Sequence, residues 1–160
     1  MPPTTYDRLM QAEEVEQTAS EIYIALADMF SYDPEAYRLF AGLAAEEEQH
    51  ELRLRMLRNQ IAKDPRHVGP IAFDPAEVKE DLADAKALMK RLGSGREHLT
   101  FREACLMAAE LEERMCSAHA HALAPKADPT ITSFYAELAR QDAAHARLLR
   151  KVAENWPSEE

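Results

Sequence analysis

Two stretches decide the reading of this chain: Ala44-Ala45-Glu46-Glu47-Glu48-Gln49-His50 and Ala139-Arg140-Gln141-Asp142-Ala143-Ala144-His145. Each sets a carboxylate three residues before a histidine. On a helix, residues i and i+3 share a face, so each pair offers an oxygen and a nitrogen to the same point. The surroundings match as well. Asp33-Pro34 precedes His50 by 17 positions, and Asp128-Pro129 precedes His145 by 17. Adding 95 carries Phe40 onto Tyr135, Leu43 onto Leu138, Ala44 onto Ala139, Glu47 onto Asp142 and Leu54 onto Leu149. We read this as a duplicated helical hairpin with one carboxylate–histidine pair in each copy.

Around these stretches the apolar residues recur at helical spacing. The stripe Tyr37, Phe40, Leu43/Ala44, Glu47, His50, Leu54, Leu57, Ile61 predicts a helix from Pro34 to about Ala62, with Asp33 as its cap and Pro34 at its first position. Glu46, Glu48 and Glu51 fall outside that stripe. The stripe Ile131, Phe134/Tyr135, Leu138, Asp142, His145, Leu148/Leu149, Val152 predicts another from Pro129 to about Asn155. Before the first of these, a helix is expected over about Tyr6–Phe30. Its heptad series Leu9, Glu16, Tyr23, Phe30 holds one carboxylate, which is costly to bury unless something pairs with it; Glu13 and Glu14 read as solvated charges. A further long helix is expected from about Thr100 to Ala124. There Glu110 and Glu113 share a face with Leu106 and Ser117, Glu112 points elsewhere, and His119 and His121 read as incidental, with a peripheral ligand role open to either.

Between the hairpins, Lys63 to Asp74 reads as loop because it holds two prolines and a glycine. His67 within it is given no role. Asp74-Pro75 with Glu77 resembles a capping box. A shorter amphipathic helix over about Pro75–Leu92 presents Val78, Leu82, Ala85, Leu88/Met89 and Leu92, then stops at Gly93-Ser94-Gly95. It reads as a connector on the outside of a bundle.

Composition agrees with one all-α domain spanning residues 1–160. Hydrophobic residues make up 46% of the 160, glycine occupies only 4 positions, and the abundant Ala, Leu, Glu, Arg and Met favour helix. No stretch alternates as a strand would. The net charge of −10 suits a cationic partner, although acidity alone is read first as keeping the protein soluble, and it disfavours nucleic acid, whose phosphates need a basic face. Cys105 and Cys116, 11 positions apart on one helix, stand roughly 16 Å apart at 1.5 Å per residue, too far to bridge. With no Cys-x-x-Cys there is no rubredoxin-type or zinc-ribbon module in these residues. Reduced thiols, no charged-then-apolar leader and no membrane-length apolar run point to the cytoplasm.

Four long helices as two hairpins joined by a long connection suit a four-helix bundle with one crossover. Each helix then brings an acidic group inward at mid-length: Glu16, Glu47, Glu110 and/or Glu113, and Asp142. Two bring His50 and His145. Four unpaired carboxylates would repel, whereas two divalent cations would neutralise them. Oxygen and imidazole donors suit iron, manganese or zinc. The set resembles that of the di-iron and di-manganese bundles, a glutamate from each of two helices plus Glu-x-x-His from the other two.

The chain resembles the ferritin-like superfamily, and within it the rubrerythrin-like proteins. Glu16 with Tyr23 is similar to their first-helix ligand and tyrosine, Glu47-x-x-His50 to their second-helix motif, Glu110-x-x-Glu113 to their third, and Asp142-x-x-His145 to their fourth. Asp142 stands where the family has glutamate, Ala118 falls about where it has a third-helix tyrosine, and the rubredoxin module is absent. The resemblance implies Glu16, Glu47, His50, Glu110, Glu113, Asp142 and His145 as ligands and catalytic residues of two iron ions. It implies oxidation of Fe(II) by O2 or H2O2, as a ferroxidase or a peroxidase, with a separate electron-donor protein for peroxide reduction. It also implies a homodimer or larger homo-oligomer. A non-catalytic bundle holding zinc or iron is the alternative reading.

Overall fold

A computed structural model describes residues 5–64, 75–95, 98–121 and 129–157; of 5, 75–79 and 121 it describes the backbone alone. His67, the Asp74 and Asp128 caps, the side chains of Glu77, Val78 and His121, and the expected helix end at 122–124 lie outside this description. The chain is all-helical: α1 (Thr5–Met29), α2 (Pro34–Lys63), α3 (Pro75–Gly93), α4 (Phe101–His121) and α5 (Pro129–Asn155). There is no strand among the described residues. Nor is any helix among them long and apolar enough to cross a membrane.

Local chemistry sets the helix starts. The Asp33 side chain accepts from Glu35 N at 2.9 Å and Ala36 N at 3.2 Å, which satisfies two donors of the first turn of α2. Pro34 needs no such partner. At α4, Glu103 N donates to Thr100 Oγ1 at 3.1 Å and Thr100 N donates to Glu103 Oε2 at 2.8 Å, a reciprocal capping box. Gly95, at φ +65°, takes the left-handed conformation that releases the chain after α3.

Helices α1 and α2 pack as one hairpin and α4 and α5 as another, while α3 lies against α1 and α4. Ala85, Leu88 and Leu92 are the buried face of α3. One end of the bundle is closed by aromatic rings. Phe30 lies 5.5 Å from Phe101, Phe40 lies 5.6 Å from Phe101, and Phe101 lies 4.2 Å from Trp156, between ring centroids. These residues come from the end of α1, the first half of α2, the start of α4 and the end of α5. The end of α2 is therefore remote from the start of α4, and the connection must travel the length of the bundle. The 19 residues of α3 cover about 28 Å of that path at 1.5 Å per residue.

Burial confirms the register of the second helix in each hairpin. Phe40 and Tyr135, Leu43 and Leu138, Ala44 and Ala139, and Leu54 and Leu149 are all buried. Leu9, Glu16, Tyr23 and Phe30 line the inside of α1 as their heptad spacing requires. Glu13 departs from its expected solvation: it is buried, and Arg58 grips it from α2 with Nε 2.5 Å from Oε2 and Nη2 3.2 Å from Oε1. The guanidinium fork matches both carboxylate oxygens, so the charge is paired as it leaves water. Cys105 is buried, Cys116 is half-buried, and both are free thiols.

Candidate metal centre

Large apolar residues flank the polar ones along each inward stripe. On α2, Phe40 and Leu43 precede Glu47 and His50, and Leu54 and Leu57 follow. On α5, Tyr135 and Leu138 precede Asp142 and His145, and Leu149 and Ala153 follow. Burying the apolar residues carries the polar ones in with them. Glu16, Glu47, Glu112 and Asp142 thus reach the middle of the bundle with no solvent exposure, one from each long helix. His50, His119 and His145 join them, each buried.

The side chains form two groups. Glu16, Glu47, His50 and Asp142 each place one donor atom within 4.8 Å of the others, and so do Glu47, Glu112 and His145. Glu47 belongs to both. Its Oε2 lies 3.1 Å from His50 Nδ1 and its Oε1 lies 3.0 Å from His145 Nδ1. His50 Nδ1 is also 3.6 Å from Glu16 Oε2, and His145 Nδ1 is 3.4 Å from Glu112 Oε1. The two imidazoles are nearly parallel, with centroids 5.9 Å apart and planes 14° apart.

Each ring is held from behind by the other hairpin. His50 Nε2 hydrogen-bonds Gln141 Oε1, and His145 Nε2 lies 2.6 Å from Glu46 Oε2. Glu46 and Gln141 are themselves related by the 95-residue offset. An oxygen acceptor fixes the proton on Nε2 and turns Nδ1 towards the cluster, which is the orientation a ligating histidine needs.

Electrostatics show the strain of crowding these groups. Burial pushes the Glu16 carboxyl well above the ordinary range, and Glu47, Asp142 and Glu112 push the same way. Burial also drives Glu112 up to about 8, against a hydrogen bond from His145. Burial would raise Glu47 too, but hydrogen bonds from His145 and His50 prevail and hold it below its usual value. Desolvation opposes charge on His145, yet its bonds to Glu112 and Glu47 lift it to about 11. His50 is raised likewise against desolvation, chiefly by Glu47. Tyr23, raised by burial and by Glu112, keeps its proton and donates it to Glu112 Oε1.

Of the residues expected from the sequence, Glu16, Glu47, His50, Asp142 and His145 come together. Glu110 and Glu113 do not. Both are exposed, and Arg150 holds Glu113 at the surface with contacts of 2.6 and 2.9 Å. The α4 carboxylate is Glu112, which was expected to point elsewhere. His119, read as incidental, lies 2.6 Å from Asp142 and 3.2 Å from Glu16. The buried stripe of α4 is Cys105, Ala108, Leu111/Glu112, Met115 and His119, too rich in small side chains to stand out by hydrophobicity. The signal that finds it is the first helix. An offset of 96 (112 − 16) takes Leu9 to Cys105, Ala12 to Ala108, Val15 to Leu111, Glu16 to Glu112 and Tyr23 to His119. All ten positions are buried. Under this offset the counterpart of Tyr23 is His119.

Donor chemistry and packing together fit a cation. Both oxygens of Glu16, Glu112 Oε2 and Asp142 Oδ1 are buried without a hydrogen-bond partner, and Glu47 Oε1 and His145 Nδ1, 3.0 Å apart, face each other. Buried polar atoms are nearly always partnered, so such a convergent set could hold a cation. Hard carboxylate oxygens with imidazole nitrogens suit first-row divalent metals. No family model matches this chain, and no curated protein and no solved structure matches it, so the centre is known by its own geometry.

Proposed function

We propose that the chain is a ferritin-like, rubrerythrin-like non-haem di-iron oxidoreductase that oxidises Fe(II) with O2 or H2O2. The observation that carries this reading is the convergence of orphaned ligand atoms from four helices on two adjacent points that share Glu47. Glu16, Glu47, His50 and Asp142 would hold one ion, and Glu47, Glu112 and His145 the other. Iron bound there would supply one-electron redox chemistry at a pair of neighbouring centres. The protein's own residues do the rest. Glu47 spans the two positions. Gln141 and Glu46 keep the imidazoles aimed inward. Tyr23 holds a phenolic proton against Glu112, and the ring cluster of Phe30, Phe40, Phe101 and Trp156 excludes water from one end.

Four carboxylates against two divalent cations balance in charge, which supports two ions over one. Exposed Ile24, Tyr37, Leu52 and Met56 on the outer faces of α1 and α2 support association into a homo-oligomer. A redox-inert zinc bundle is the second reading, favoured by the short reach of Asp142.

The test is anaerobic ferrous loading followed by desalting and elemental analysis. Close to two irons per chain is expected, with a near-ultraviolet band growing on exposure to O2 or H2O2. Retention of zinc in place of iron, or two irons with no oxidation by either oxidant, would leave the zinc reading in possession. No retained metal would reject both.

A further inference from the structure

We propose that His119 is a positioning residue that holds Asp142 to a single free oxygen and steers Glu16, so that one metal position depends on it and the other does not. This rests on the dinuclear reading above.

The two hairpins are alike but not identical in this respect. Tyr23 on α1 reaches across to the α4 carboxylate, Glu112. At the related place on α4, His119 reaches across to the α1 carboxylate, with Nε2 3.2 Å from Glu16 Oε1. A phenol has one polar atom, whereas an imidazole has two on opposite sides. The second one, Nδ1, donates to Asp142 Oδ2 at 2.6 Å. His119 is 3% exposed and its ring is tilted against Tyr135, with centroids 5.9 Å apart, so its place is fixed by packing.

Asp142 is the counterpart of Glu47, but the two behave differently. Glu47 turns one oxygen to each ligand histidine and so spans both groups. Asp142 is one methylene shorter. With Oδ2 engaged by His119, only Oδ1 is left, buried and without a hydrogen-bond partner. Asp142 joins the group of Glu16, Glu47 and His50 and not that of Glu112 and His145. His119 itself belongs to neither group. Its place is behind Glu16 and Asp142, where it restrains two of the three carboxylates that would serve the first position. Glu47 would thus serve both positions and Asp142 only one.

Cobalt(II), with its visible absorption, is the probe. The native chain, His119→Leu and His119→Asn are titrated anaerobically, and stoichiometry and stepwise affinity are read from the spectra. The native chain is expected to bind two ions. His119→Leu should weaken one of them about 10- to 100-fold, the usual effect of losing a residue that orients a ligand, and leave the other unchanged. His119→Asn keeps a donor where Nδ1 stood and should restore most of the lost affinity. Should the leucine variant fail to fold by circular dichroism, His119→Gln replaces it. Its amide falls near Nε2 instead, so it should lose the ion that the asparagine variant keeps. Two ions bound at native affinity by the leucine or glutamine variant would overturn this role while leaving the dinuclear reading intact. Equal weakening of both ions without rescue by asparagine would overturn it too, as a general packing defect. A native chain that binds no cobalt would overturn both proposals.

Discussion

Glu112 and Glu113 are adjacent in sequence and have opposite fates. One turn of 100° sends Glu112 into the bundle and Glu113 to Arg150 at the surface. The consequence is a sharp contrast between variants. Glu112→Ala should abolish one of the two bound metals and lose the second in part, because Tyr23 and His145 lose their partner. Glu113→Ala and Glu110→Ala should load as the native chain does, and their melting temperatures should stay close to native, since an exposed ion pair contributes little. Elemental analysis of the three loaded variants decides it. Full occupancy in Glu112→Ala, or its loss in Glu113→Ala, would reject the placement of α4. A second contrast concerns the residues behind the histidines. The carboxylate of Glu46 makes His145 a better donor than the amide of Gln141 makes His50. Glu46→Gln should therefore lower metal affinity at the Glu112–His145 position by about 10-fold, within the range seen for outer partners, and Gln141→Glu should not lower it at either. Stepwise cobalt titration reads both.

At the level of elements, legibility followed side-chain size. On α2 and α5 the inward stripes carry Phe40, Leu54, Tyr135 and Leu149, and a polar residue interrupting such a stripe is conspicuous. The carboxylate–histidine pairs could therefore be placed from the sequence. On α4 the inward positions are Cys105, Ala108 and Ala109, with partly buried Leu106 and Met107 beside them. Inside and outside differ little in hydropathy there, and the face was assigned one residue out of phase. The hairpin relation contained the correction, because the first helices are offset by 96 and the second by 95. Capping was legible where the motif is local, as at Asp33, and Thr100 with Glu103 shows the same logic at α4. Asp33→Ala should cost about 1 kcal/mol. Phe101→Ala should cost about 3–5 kcal/mol, because that ring touches Phe40 of α2, Phe30 just past α1 and Trp156 just past α5. Urea unfolding of the metal-free protein separates the two. A Phe101→Ala loss no larger than that of Asp33→Ala would mean that the aromatic end does not hold the four helices together.

For the whole molecule the buried carboxyls make stability depend on pH. Glu112 titrates at about 8 in the folded chain against an ordinary 4.5, and Glu16 is shifted in the same direction. A carboxyl raised on folding binds its proton more tightly in the folded state. Its favourable contribution is complete below about pH 4.5 and disappears as the pH climbs towards 8. His145, raised from 6.5 to about 11, loses its contribution over a higher window, as the pH passes from neutral towards 11. Glu47, which is lowered, contributes above its ordinary value and weakens only on the acid side. The metal-free chain should therefore become steadily less stable from pH 6 to 9. A cation held by these groups would reverse the trend. It would displace the protons on Glu112, Glu16 and His145, so its affinity would rise with pH. Binding to the folded chain alone would add about 2.7 kcal/mol at 100 times the dissociation constant. The gap in melting temperature between loaded and metal-free protein should accordingly widen between pH 6 and 8. Calorimetric titrations in two buffers of different ionisation enthalpy should register net proton release at pH 7. A gap that narrows with rising pH, or binding without proton release, would place the metal away from these carboxyls. In that case Glu16 and Glu112 would be held inside the bundle as neutral acids, and the bundle would owe its stability to that proton, not to a cation.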